Sequence, residues 1–110
     1  VKKNFDVFKK ECLYWQKKLE LGNYDIEIKL GTDKDFFSAW CSIYADYNAI
    51  VWMDETYKFS SLQEVKDAAK HEMVHILVGR LVDNARARYI NKNEIDEALE
   101  ELVRKLTKLI

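Results

Sequence analysis

His71-Glu72-Met73-Val74-His75 holds both histidines of this 110-residue chain, four positions apart with a glutamate directly after the first. On a helix, residues i and i+4 lie on one face about 6 Å apart, so the two imidazoles can converge on one ion while Glu72 points towards the same opening. With two His and ten Glu in 110 residues, this arrangement arises by chance in roughly 0.0016 of shuffled sequences, which is rare enough to read it as a motif. The helix extends on both sides. Ser61-Leu62-Gln63-Glu64 is a Ser-x-x-Glu helix start, and apolar periodicity runs through Val65, Ala68, Ala69, Met73, Leu77 and Leu81 towards Tyr89, with a bend expected near Gly79.

Working outward, Phe5, Phe8, Cys12, Trp15 and Leu19 recur at helical spacing, and Lys9, Lys10, Lys17 and Lys18 fall elsewhere on the wheel. This predicts an amphipathic first helix closed by Gly22. The period then changes to two: Ile26, Ile28 and Leu30 alternate with Asp25, Glu27 and Lys29, as in a strand with one buried face. Phe37–Tyr44 and Tyr47–Met53 are rich in aromatic and β-branched residues and predict two further strands in a hairpin or meander. After Asn91-Lys92-Asn93, a last helix carries Ile95, Leu99, Leu102, Val103, Leu106 and Leu109 on one stripe. The expectation is a single α+β domain over residues 1–110, ordered helix, three strands, helix, helix.

Composition excludes several classes of function. Eighteen basic against 19 acidic residues give a net charge of −1, too balanced for a general nucleic-acid binder. No apolar run approaches the ~18 residues of a transmembrane helix, so no membrane partner is expected. Val1-Lys2-Lys3-Asn4 lacks the apolar stretch of a signal peptide, and since no Met opens the chain a removed leader stays open. Two cysteines, Cys12 and Cys41, are too few for a disulfide scaffold; buried free thiols in a reduced, cytoplasmic setting are the expectation.

The chemistry of the motif is that of zinc, which accepts neutral imidazoles and, in a catalytic site, keeps a position for water whose pKa it lowers. A two-His, one-carboxylate site needs another acid, and the last helix offers Glu94, Asp96, Glu97, Glu100 and Glu101. If that helix returns antiparallel, the residue level with His75 lies in its C-terminal half, leaving Glu100 and Glu101, with Glu100 preferred. Tyr89, Arg80 and Arg86 are unranked candidates to stabilise an oxyanion.

The stretch Ala68-Ala69-Lys70-His71-Glu72-Met73-Val74-His75-Ile76-Leu77 resembles the extended zincin signature, and the acid-bearing helix after it resembles the glutamate helix of gluzincins. Over nearly all its length the chain is similar to the small zincin-type metallopeptidase domains called minigluzincins and to related phage and prokaryotic metallopeptidases. The resemblance implies a minimal zincin-like fold: an N-terminal helix, a small twisted sheet, an active-site helix and a glutamate helix. It implies zinc held by His71, His75 and Glu100, with Glu72 as general base in peptide hydrolysis. The Asn-Glu-x-x-Ser-Asp pattern of larger gluzincins is missing. Ser38-Ala39-Trp40-Cys41 resembles the edge strand along which larger gluzincins align substrate, so a peptide or unfolded protein is the expected partner, and a tail or neighbouring chain on that edge would inhibit. The alternative is a zinc-binding interaction or regulatory domain of the same scaffold with little or no peptidase activity.

Overall fold

The computed structural model describes residues 1–32, 35, 37–86 and 91–109. Among them the order is α1 (Lys2–Lys18), β1 (Asp25–Gly31), β2 (Ala39–Tyr44), β3 (Asn48–Asp54), α2 (Leu62–Arg86) and α3 (Lys92–Thr107). This is an α+β arrangement of three helices and a three-stranded mixed sheet, in the order the periodicities predict. No helix of the described residues is long and apolar enough to cross a membrane.

The sheet order is β1-β3-β2, with β3 antiparallel to β2 and parallel to β1. β2 and β3 form the expected hairpin, but β1 passes over β2 to pair with β3, so the sheet is not a meander. Burial explains the choice. β3 supplies Ala49, Val51 and Met53, all buried, and their rows continue into Ile26, Ile28 and Leu30 on β1 and Ile43, Cys41 and Ala39 on β2. Only a central β3 covers this apolar row from both sides. The hairpin turns through the three residues Ala45, Asp46 and Tyr47, of which Asp46 and Tyr47 are left-handed at φ 61° and 60°. Such a φ is costly for a tyrosine; the Tyr47 ring packs edge-on against Tyr24 at 5.2 Å, which offsets the strain.

α1 buries Phe8 and Cys12, with Phe5 and Trp15 half-buried beside them. It ends at Lys18, earlier than a stop at Gly22 implies, because Glu20 takes the left-handed conformation (φ 56°). Lys108 holds Glu20 at 2.9 Å and keeps its carboxyl below the usual range.

The start of α2 is half of a capping box. Ser61 Oγ accepts from the Glu64 N–H at 3.1 Å, while the Glu64 carboxylate accepts from Ser60 Oγ rather than reaching back to Ser61. Val65, Ala69, Met73 and Ile76 enter the core with Phe8, Cys12, Val51 and Met53. α2 then runs as α-helix through Gly79. A Cβ at Gly79 would lie 2.6 Å from Ile43 Cδ1, so this glycine permits close contact between helix and β2.

α3 begins at Asn91, whose side chain accepts from the Glu94 N–H at 2.9 Å. The Asn-Lys-Asn break in the apolar pattern is therefore an N-cap. Arg80 meets Glu97 and Glu101, while Asn84, further along α2, meets Glu94, earlier in α3; the two helices run antiparallel.

Candidate metal centre

At 100° per residue, His71 and His75 stand about 40° apart around α2. Both are exposed, their rings meet edge to face with centroids 4.8 Å apart, and their Nε2 atoms are 3.1 Å apart. Two imidazoles bound tetrahedrally to zinc at about 2.0–2.1 Å have nitrogens about 3.3–3.4 Å apart. The pair is within a few tenths of an ångström of one edge of that tetrahedron, so the donors fit zinc as two of its ligands. They border an open hollow of about 470 Å³ lined by Asp67, Lys70, His71, Val74, His75 and Val78, all from α2.

Glu72 is turned about 100° from His71 and 60° from His75. Ala69 and Met73, in the core, lie on its other flank, so Glu72 marks the boundary between packed and open sides of the helix. Its side chain is buried (7% exposed) against β2, where the Cys41 thiol donates to its carboxylate. Burial first, then the negative charge of Glu72 and this hydrogen bond, push the Cys41 thiol up to about 12. Cys12 is likewise pushed up to about 12 by burial, with smaller contributions from Glu72 and Glu11. Both cysteines are free thiols. Rather than sharing the opening with the histidines, Glu72 sits beneath the edge strand at their side. The contact with Cys41 has a signal in the sequence: alternation puts Cys41 on the same face of β2 as Ala39 and Ile43, towards the helices. Trp40 turns the other way and stacks on Trp52 at 5.8 Å.

The third expected ligand is elsewhere. Glu100 is exposed on α3, and among the described residues no third His, Cys, Asp or Glu joins the two histidines in a group able to hold a metal. The reason is the face α3 uses. Its anchor on α2 is Arg80, nine residues beyond His71 and therefore half a turn round the helix. Arg80 meets Glu101 at 2.5 Å and Glu97 at 3.2 Å, and Glu101 also meets Lys105 at 3.2 Å. Burial raises the Glu101 pKa, but the hydrogen bonds from Arg80 and Lys105 outweigh it and hold the carboxyl below its ordinary value. This ladder fixes α3 in a rotation that buries Ala98 and Lys105 and leaves half of the predicted apolar stripe, Leu99, Val103 and Leu106, more than 40% exposed. Of the oxyanion candidates, Arg80 is engaged by α3, Arg86 is exposed at the end of α2, and Tyr89 lies outside the described residues.

Comparison with known proteins assigns no family: no family model matches the chain, no curated protein matches it, and no solved structure matches its fold.

Proposed function

We propose that this chain is a zinc-dependent peptidase of the HExxH class, with His71 and His75 as metal ligands and Glu72 as general base. The observation that carries the reading is the pair of Nε2 atoms 3.1 Å apart on an open helix face, with a carboxylate one residue away. Zinc held by His71 and His75 would supply a Lewis acid and activate water for attack. Glu72 takes the proton of the attacking water on its carboxylate and returns it to the leaving amine. The Glu72 carboxylate lies against Cys41 of β2, and β2, an edge strand, offers backbone groups to which an extended peptide can add. The expected substrate is therefore a peptide or unfolded protein segment. Free thiols at Cys12 and Cys41 fit a reducing, cytoplasmic setting.

A second reading, a zinc-binding regulatory domain with little turnover, is favoured by one observation: Glu72 is 7% exposed. Cleavage of casein separates the two. The peptidase reading expects zinc-dependent cleavage, stopped by a chelator and lowered about 10³-fold in Glu72→Gln, which keeps its zinc. Zinc retention with unchanged cleavage in that variant sinks the role of Glu72, and zinc binding without cleavage in the parent favours the second reading.

A further inference from the structure

The histidine pair is a two-donor edge without the opposite edge. Among the described residues no third His, Cys, Asp or Glu groups with the pair, and those that line the hollow beside it all belong to α2. Zinc in a closed site takes four protein ligands, and four neutral imidazoles satisfy it. A two-fold axis presents the same patch on both partners of a pair. We propose that two copies of this chain share one zinc ion through His71 and His75 of each.

Three features of the patch favour a second copy as the occupant. The missing half of the donor set is the half already present, so the copy supplies it without any new residue type. Opposite edges of a tetrahedron are perpendicular, so the two α2 helices cross near a right angle, and a crossing needs only a short exposed stretch of helix such as His71–Val78. Val74, 39% exposed between the histidines, and the half-buried Val78 then pack beside the ion, where apolar neighbours exclude water.

The bridge rests on the zinc-binding reading of the two histidines; its consequence rests on the peptidase reading. Four imidazoles leave the ion no free position, so the pair is a latent form and the separated chain the active one. Assembly follows mass action: zinc at half an equivalent favours the pair, and dilution or excess zinc favours the single chain.

The test is titration of the metal-free full chain with a zinc salt, reading mass by sedimentation and ligand number by X-ray absorption at the zinc edge. The expected result is a doubling of the 13.1 kDa mass that is complete at one zinc per two chains, with four nitrogen neighbours at the metal, reversed by a chelator. Glu72→Gln, which keeps both imidazoles, pairs like the parent. His75→Ala keeps its circular dichroism spectrum and stays single. Zinc bound at unchanged mass up to half an equivalent overturns the bridge, as does pairing that survives in His75→Ala or without metal. Casein cleavage on dilution keeps the two readings apart. Chains that stay single at half an equivalent of zinc and cleave there overturn the bridge alone, pairing with no cleavage at any dilution overturns the peptidase alone, and a chain that binds no zinc overturns both.

Discussion

On one face of α2, Arg80 reaches Glu97 and Glu101, Glu101 reaches Lys105, and a whole helix is held in place by the ladder. Half a turn away, His71 and His75 meet each other over an open hollow. The first face uses polar groups for structure: Lys105 is 4% exposed, and its charge is tolerable only because Glu101 lies against it. The second leaves two of the best metal ligands available to proteins in water, with no packing role that would keep them there. Polar groups that stabilise a fold are enclosed by their partners, whereas groups kept for chemistry need access.

If the Arg80 face is structural, removing its central acid carries the largest penalty. Glu101→Ala leaves Lys105 buried without its counter-charge and Arg80 without its closest partner, and the expected loss is about 3 kcal/mol in urea unfolding. A loss below about 1 kcal/mol shows that the ladder does not hold α3 in place. The sheet-facing side gives the next largest effect. Gly79→Ala drives a methyl into Ile43, and overpacking of this kind costs about 2 kcal/mol; Ile43→Val in the same chain should recover part of it. An unchanged Tm in Gly79→Ala contradicts the close contact between α2 and β2.

Acid gives a smaller effect confined to the Arg80 face. The Glu101 carboxyl is held below the 4.5 it has when unfolded, so the folded state binds fewer protons around that pH. Its contribution is therefore fully present above about pH 4.5 and is lost as pH falls through the lowered folded value. Stability in the parent should fall in that range, and the part due to Glu101 should be missing from the pH profile of Glu101→Ala. Identical slopes in the two chains contradict the assignment.

The element order was legible because each period is carried by residues of one kind: Phe8 and Cys12 at helical spacing, Ile26 and Ile28 at spacing two. The sheet order was not, since the alternation in β1 says which face is buried and nothing about which strand lies beside it. The histidine pair was legible because its geometry is local to one helix turn. The place of Glu100 was not, because it depends on the rotation of α3. Arg80 with Glu101 and Lys105 decides that rotation, against the apolar stripe of Leu99, Val103 and Leu106. A wheel drawn from apolar residues alone places α3 by its stripe, whereas an ion-pair ladder between helices places it by charge. Glu72 lies between these cases: its helix position is certain from the motif, but its contact with Cys41 depends on which sheet edge covers α2.

The central claim is that the open face exists to hold zinc. The most direct measurement is zinc affinity of the metal-free parent against His75→Ala by calorimetric titration, with urea unfolding of both metal-free chains alongside. The account predicts that the substitution changes stability by less than about 0.5 kcal/mol, as for an exposed residue with no packing role, and lowers zinc affinity at least a hundredfold. Equal zinc affinity in the two chains, or no binding by the parent, would contradict it.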